Sequence, residues 1–207
     1  MSTIKLYRHA LSGHSHRVEM FLSVLGLNAE IIDVDLHNGA HKQAEFLQMN
    51  PAGQVPVLVD GDTVLVDSNA ILAYLAIKYD QTNTWYPQDA ETVARVQRFL
   101  STAAGQVAYG PAAARLVTVF GAGIDSELAI KTAHSLLQTF ENHLNDRPWL
   151  VSDSPTIADI ANYAYIAHAP EGNVSLEHYP NVRAWLARIE SLNGFVGMQA
   201  TQVGLAA

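Results

Sequence analysis

The amino-acid sequence predicts an α/β domain with a mixed sheet, followed by an all-helical domain. Three observations lead to this prediction. Residues 1–79 alternate short β-rich runs with helical patterns, residues 80–88 are polar and turn-rich, and residues 89–207 show helical periods without β alternation. We therefore expect domains at 1–79 and 89–207 that are joined by a linker at 80–88.

The start of the chain has the pattern of a βαβ unit. Residues 4–7 and 29–34 are short β-rich runs bounded by turn or polar residues. Between them, four apolar residues have the i, i+3, i+4, i+7 spacing of a helix with one buried face: Val18, Phe21, Leu22 and Leu25. Gly26 is typical of a C-terminal helix cap. Such a unit places its two strands parallel with a right-handed crossover.

The rest of the first part predicts two more helices and a hairpin. Helical patterns cover 41–48 and 70–79, and apolar runs separated by Asp-Gly-Asp cover 55–59 and 63–66. The first of these helices ends at Asn50, because Pro51 disfavours helical backbone in the residue before it. The other opens at Asp67 and Ser68. Together with the βαβ unit, the hairpin predicts a mixed sheet of four strands.

The second part of the chain predicts helices only. Helical patterns lie near 89–116, 125–145, 156–168 and 180–190, followed by a short tail. Thr156 and Asp159 have the spacing of a capping box, and the apolar face of that helix begins at Ile157. We expect a sharply defined helix start at this point.

Composition narrows the function classes. The chain of 207 residues contains no cysteine, so thiol chemistry would have to come from a ligand. The 12 basic and 20 acidic residues give a net charge of −8 without long runs, which argues against a nucleic-acid partner. No stretch approaches the roughly 18 apolar residues of a membrane span, and the first residues lack a secretory pattern. We expect a cytoplasmic protein without a membrane partner.

Residues 7–18, YRHALSGHSHRV, concentrate histidine and serine in one connection. They could form a metal site, a hydrolase nucleophile, or a place that holds another molecule's reactive atom. His14 and His16 would point apart on a helix, so we expect no metal and expect these histidines and His9 to be exposed. The hydrolase elbow G-x-S-x-G needs a small residue where Arg17 stands. We interpret Arg17 as an ion-pair former.

Four separated pieces of the sequence agree in order and spacing with one known family. They are YRHALSGHSHRV, GAHKQAEFLQMNPAGQVPVL, VDSNAI and TIAD. Together they resemble a cytosolic glutathione S-transferase, similar to serine-type phi, zeta and theta members from bacteria. The resemblance implies a thioredoxin-like N-terminal domain that binds glutathione and a helical C-terminal domain that supplies most of the electrophile pocket. It also implies a homodimer and no metal.

In the serine-dependent classes, the catalytic serine follows the first strand. Ser12 has the family's spacing from Tyr7 and from Arg17. A hydroxyl that donates to sulfur stabilises the thiolate, and lowering a thiol pKa by one unit needs about 1.4 kcal/mol. Ser12 would then be a hydrogen-bond donor rather than a nucleophile or base. The alternative is that Ser12 or Ser15 only caps the first helix, and we expect Ser15 to be that cap.

The resemblance also implies the residues that bind glutathione. His41 and Lys42 match those that hold the glycine carboxylate, joined by the amide of Gln54. The bond from Val55 to Pro56 resembles the family's cis-prolyl turn, whose Val55 N–H and C=O pair with the cysteinyl backbone. An exposed lysine at a helix start is the alternative for Lys42.

Asp67 and Ser68 match the pair that binds the γ-glutamyl end of glutathione. The serine hydroxyl and helix N–H groups would meet the carboxylate, and the acid would meet the ammonium. Simple N-capping is the alternative for both. For the electrophile pocket we expect His14, Tyr109 and Arg115, although such residues on a long helix are also common in packing or on the surface.

The predicted function is a glutathione transferase that holds the thiolate for attack on a small hydrophobic electrophile, as in detoxification. One alternative is a maleylacetoacetate isomerase-like enzyme, whose S-S-C-x-x-R-V motif overlaps Ser12 to Val18 but has cysteine where this chain has His14. Peroxidase or reductive dehalogenase activity on the same thiolate is also open. A further alternative is a non-catalytic glutathione-fold binding protein. The sequence identifies neither the physiological electrophile nor the residues of a dimer interface.

Overall fold

The computed structural model describes residues 4–207, which form two compact units. The first contains the chain through Gln81 together with Asn193–Gln199, and the second contains Thr82–Leu192 with Ala200–Ala207. The first unit is a mixed four-stranded sheet with helices, as in a thioredoxin-like fold, and the second is helical. The predicted fold class is confirmed. The placement of Asn193–Gln199 in the first unit is a feature that the predicted boundaries did not contain.

The sheet of the first unit has the order β2-β1-β3-β4. Its strands are β1 (Ile4–Arg8), β2 (Ala29–Asp33), β3 (Val57–Asp60) and β4 (Thr63–Val66). Strand β1 runs parallel to β2 and antiparallel to β3, with Leu6 opposite Ile31 and Leu58, while β3 and β4 form the antiparallel hairpin. Because Pro56 has no N–H to donate to a ladder, β3 begins after it rather than at residue 55.

The helices of the first unit are α1 (Gly13–Val24), α2 (Ala44–Met49) and α3 (Ser68–Tyr79). A short 3-10 helix at Ala40–Lys42 precedes α2, so the predicted helix at 41–48 is divided by the extended backbone of Gln43. Gly26 has φ 66°, and the N–H of Leu27 donates to the carbonyl of Leu22 at 2.9 Å, which confirms the predicted end of α1. The core residues include Leu6, Phe21, Leu58 and Leu72, all fully buried.

The helical unit contains five α-helices and a π-helical segment. They are α4 (Ala90–Thr102), the π-helix Ala103–Ala112, α5 (Ala113–Phe120), α6 (Ser126–His143), α7 (Ile157–Ala167) and α8 (Pro180–Glu190). The predicted helix near 89–116 is therefore three segments, since Pro111 cannot donate the N–H that an α-helical turn needs. Within residues 4–207, no helix combines the length and apolar character needed to cross a membrane.

The capping box at the start of α7 is present as predicted. Thr156 Oγ1 accepts from the N–H of Ala158 at 3.2 Å, and Asp159 Oδ2 accepts from the N–H of Thr156 at 2.9 Å. The fully buried Asp159 also accepts from the N–H of Leu150 and from Trp185 Nε1 through Oδ1. Burial raises the pKa of this carboxyl group, against the lowering effect of its hydrogen bonds. Asp159 thus joins α7 to the chain before it and to α8.

Candidate functional site

The turn between β1 and α1 ends at Ser12, which is the N-cap of α1. Its backbone is extended (φ −90°, ψ 114°), and its Oγ accepts from the N–H of Ser15 at 3.2 Å. Its own N–H donates to the carbonyl of His9 at 2.9 Å. A hydroxyl group both accepts and donates, so the cap bond leaves the Ser12 hydroxyl hydrogen available for a second group. The half-buried side chain can therefore cap the helix and donate to a ligand at the same time.

Ser15 and His16 differ from our expectations. Ser15 is fully buried as the third residue of α1, and its Oγ accepts from the N–H of His9 at 3.3 Å. The expectation that Ser15 caps α1 is wrong, because a cap precedes the first helical residue, Gly13. His16 was expected to be exposed, but it is only 3% exposed and its Nε2 lies 2.8 Å from the carbonyl oxygen of Val196.

A fully buried arginine connects the starts of α1 and α3. Arg17 donates through Nη1 to Ser68 Oγ at 3.2 Å and to Asn69 Oδ1 at 2.8 Å. These two partners are neutral side chains, and the expected ion pair of Arg17 stays a prediction. His14 Nδ1 lies 3.5 Å from the same Ser68 Oγ. Burial and, to a lesser extent, the charge of Arg17 lower the pKa of His14 to about 3, so its imidazole is neutral at pH 7.

Asp67 is the N-cap of α3 and has an unusual backbone conformation. Its φ is 67°, and its Oδ1 accepts from the N–H groups of Asn69 and Ala70, both at 2.9 Å. A non-glycine residue with positive φ costs about 1–3 kcal/mol, and such residues concentrate at binding sites. The exposed carboxylate group has a second oxygen that can meet a cation. Asp67 and Ser68 thus present a carboxylate and a hydroxyl at one helix start.

The loop before β3 collects the other residues predicted to bind glutathione. Lys42 Nζ donates to the carbonyls of Gly53 at 3.2 Å and Ala52 at 3.4 Å. Gln54 is exposed, and the bond from Val55 to Pro56 is cis. The loop thus brings the ammonium group of Lys42 near the backbone that precedes the cis bond.

Asn50 and Gly53 shape this loop, and sequence reasoning gave neither a role in the site. Asn50 accepts from the N–H of Ala52 at 3.1 Å and donates to the carbonyl of Gln54 at 2.8 Å. A Cβ at Gly53 would lie 2.8 Å from both His41 O and Lys42 Nζ, and its φ of 59° also favours glycine. The local signal was the Asn-Pro-Ala-Gly run, which is typical of a turn held by the asparagine side chain.

In the helical unit, the side chain of Arg115 is buried. It is 1% exposed, and its Nε lies 2.6 Å from Oε2 of the buried Glu171. Thr201 Oγ1 donates to the same oxygen at 2.6 Å, and His168 Nδ1 lies 2.6 Å from Oε1. Burial alone would raise the pKa of Glu171, but hydrogen bonds from Thr201, His168 and Arg115 outweigh it and lower the pKa to about 2. Arg115 belongs to a buried ion pair, which corrects its placement in the electrophile pocket.

Tyr109 has surroundings that differ from those of Arg115. It is 74% exposed and lies on an open pocket of about 550 Å³ in the helical unit. The lining is mostly apolar and includes Ala113, Leu116, Ile124 and Leu128. Such a pocket suits an apolar molecule of modest size.

The described part of the first unit offers hydroxyl, amide, ammonium and carboxylate groups at helix starts and in one loop. Among residues 4–207, no group of three or more His, Asp and Glu side chains is arranged to hold a metal ion. The donors are concentrated at Ser12, Lys42 and Ser68. They suit a ligand with several anionic groups, and Asp67 suits an ammonium group.

Comparison with known proteins identifies the family. Residues 2–77 match the glutathione S-transferase N-terminal domain, and residues 125–193 match the glutathione S-transferase C-terminal domain. The chain is 35% identical over 208 residues to glutathione S-transferase 3 of Zea mays, covering 94% of this chain and 92% of that protein. The chain belongs to the glutathione S-transferase family. It is an enzyme, a glutathione transferase.

Solved structures agree with this assignment. A glutathione S-transferase from Pseudomonas fluorescens superposes with a TM-score of 0.89 at 31% identity, covering 96% of this transferase and 100% of that chain. A glutathione transferase homologue from Drosophila mojavensis with bound glutathione has a TM-score of 0.86 at 29% identity, covering 93% and 89% of the two chains. The predicted family and function are confirmed. No finding favours the isomerase or the non-catalytic binding protein over transferase function.

Proposed function

We propose that the transferase uses Ser12 to keep the thiol of bound glutathione ionised for attack on a small hydrophobic electrophile. The observation that carries this proposal is the geometry of the α1 cap. Ser12 Oγ accepts from the N–H of Ser15, so its hydroxyl hydrogen can be donated to a sulfur atom next to the helix start. The N–H groups of the first turn and the helix dipole add positive potential at the same place.

The energy required is within reach of these groups. A free thiol with a pKa near 8.5 is only a few per cent ionised at pH 7. A hydrogen bond to a charged group contributes about 1.5–3 kcal/mol, which corresponds to one or two pKa units at about 1.4 kcal/mol each. Ser12 acts as a donor in this proposal, and the electrophile receives the sulfur electron pair.

The two ends of glutathione would bind on either side of the thiol. We assign the glycine carboxylate to Lys42, His41 and Gln54. The ammonium group of Lys42 is held at this loop by the carbonyls of Ala52 and Gly53, which are neutral and leave its charge available to an anion. The cysteinyl backbone would pair with Val55 next to cis Pro56. Glutathione bound to the homologue from Drosophila mojavensis supports the choice of ligand.

The γ-glutamyl end would bind at the start of α3. Its ammonium would meet the exposed Asp67 carboxylate, and its carboxylate would meet the Ser68 hydroxyl. For the electrophile we propose Tyr109 with its apolar pocket in the helical unit. A homodimer and a cytoplasmic location complete the proposal, and both rest on membership of the family.

Three substitutions at position 12 separate the cap from the hydroxyl donor. Ser12→Gly removes the hydroxyl donor at a cost of only a few tenths of a kcal/mol in helix capping, Ser12→Ala loses both donor and cap, and Ser12→Thr keeps both. We expect Ala and Gly to lower kcat for conjugation of chlorodinitrobenzene by about 10–100-fold, with only Ala also losing about 1 kcal/mol of unfolding free energy. The pKa of bound glutathione, followed by thiolate absorbance, should rise in both.

The reference measurement is binding to immobilised glutathione, which Ser12→Gly should largely keep. Thr should retain most activity, since its hydroxyl can both cap and donate. Equal loss of binding and turnover in Ser12→Gly, or an unchanged thiol pKa, would contradict the proposed role of Ser12.

A further inference from the structure

Ser68 lies between the side chains of Arg17 and His14 at the start of α3. Its side chain is 5% exposed, and Arg17 Nη1 donates to its Oγ at 3.2 Å. A guanidinium group carries donors and no acceptor, so Ser68 Oγ accepts in this bond. The single hydroxyl hydrogen of Ser68 is therefore available to another group.

His14 Nδ1 lies within range of that hydrogen, at 3.5 Å from Ser68 Oγ. The imidazole is neutral at pH 7 because burial and Arg17 lower its pKa to about 3. A neutral imidazole has one acceptor nitrogen and one N–H group. If Nδ1 accepts from Ser68, the ring proton is on Nε2. With that tautomer, the hydrogen bonds run from Arg17 to Ser68 and from Ser68 to His14.

We propose that His14 competes with the ligand for the Ser68 hydroxyl hydrogen, and so sets how strongly this site selects a ligand that carries a carboxylate there. This inference rests on the proposed binding of the γ-glutamyl carboxylate by Ser68. The hydroxyl has one hydrogen, and a carboxylate is a stronger acceptor than a neutral imidazole. The long bond to His14 is weak enough for a carboxylate to replace it. A ligand without that carboxylate leaves the bond in place.

The test compares two ligands and two variants. The ligands are glutathione and 4-aminobutyryl-cysteinylglycine, which lacks only the α-carboxylate of the glutamyl residue. His14→Leu removes the acceptor, whereas His14→Asn can place its Oδ1 near the position of Nδ1. By calorimetry, we expect His14→Leu to bind glutathione about 3–10-fold more tightly, because the buried Ser68 hydroxyl no longer has the His14 acceptor in the ligand-free protein. Its affinity for the analogue should not change, and His14→Asn should behave like the parent.

A Ser68→Ala background provides the decisive control, because the effect of His14→Leu should vanish there. The same change for both ligands, or a change that persists with Ser68→Ala, would overturn the inference and leave the proposed function intact. Failure of the parent to bind glutathione would overturn the proposed function and this inference together.

The position of the ring proton on His14 provides a second test, because a purely structural role of His14 would not determine it. In spectra of the ligand-free parent labelled with 15N-histidine, the signals of His14 are identified as those that the His14→Asn variant lacks. They should show a proton on Nε2 and none on Nδ1. A proton on Nδ1 would overturn the inference. Addition of glutathione should shift the Nδ1 resonance, and the analogue should leave it in place.

Discussion

The two units use hydroxyl and carboxylate oxygens in different ways. In the first unit, Ser12 and Asp67 each cap a helix and keep a polar atom that can reach a ligand. In the helical unit, Asp159 and Glu171 are buried, and hydrogen bonds within the unit occupy their oxygens. The comparison separates exposed polar groups of the first unit, which can reach a ligand, from buried carboxylates of the helical unit, whose oxygens are used for internal hydrogen bonds.

The largest expected effect is on the buried pair of the helical unit. Glu171→Gln leaves the buried Arg115 without this counter-charge, and breaking a buried pair costs about 3–5 kcal/mol. Urea unfolding should show that loss, while glutathione affinity of the folded variant stays within about twofold of the parent. The exposed Glu177→Gln is the matched control. A loss below about 1 kcal/mol would show that Glu171 is not the structural group that the comparison requires.

The pH dependence of the same variant sharpens this prediction. The pKa of Glu171 is lowered from 4.5 to about 2, so the stability it contributes is fully present above its unfolded pKa. That contribution is lost as the pH falls from about 5 towards 2. The unfolding free energies of parent and Glu171→Gln should therefore converge over this range. A constant difference between them would mean that the folded carboxyl group has an ordinary pKa.

A smaller effect is expected when the charge of a binding cap is removed. Asp67→Asn keeps a capping oxygen, and asparagine tolerates the φ of 67°. We expect the unfolding free energy to change by less than about 1 kcal/mol, and glutathione affinity to fall about 3–10-fold, since the ammonium loses its carboxylate. Asp89→Asn makes the same change at the cap of α4 and should leave affinity unaltered. Equal behaviour of the two variants would remove the distinction between binding and structural caps.

The smallest expected effect concerns an exposed charge. Lys42→Met should weaken glutathione binding by about two- to fivefold, because exposed ion pairs contribute about 0.2–1 kcal/mol. The difference from the parent should shrink as salt is added. Lys131→Met, an exposed lysine of the helical unit, serves as the control. Unchanged affinity in Lys42→Met would move the glycine carboxylate to another group.

Local patterns predicted most elements of the fold. The stripe of apolar residues in α1 and the capping box of α7 depend on neighbours within one or two turns, and the structure contains both. The choice between Ser12 and Ser15 as the cap was wrong, because both residue types suit a cap and the helical period does not fix where a helix begins.

Contacts between distant residues set the rest. Arg115 pairs with Glu171, 56 residues away, and His16 contacts the carbonyl of Val196, 180 residues away. No period or short motif in the sequence encodes such a separation. The site motifs were found because their spacing resembles a family. Arg17 was seen as a cation, but its link to Ser68 required the three-dimensional arrangement.

The first unit is completed by a segment from near the end of the chain, Asn193–Gln199, so it cannot form fully until that segment has been synthesised. Gly194 lies so close to α1 that a Cβ there would come within 2.5 Å of the carbonyl oxygen of Ser23, and Val196 contacts His16. On the ribosome, this unit stays incomplete until almost all of the helical unit has emerged. A fragment that stops at Gln81 would expose the surface of α1 that this late segment covers.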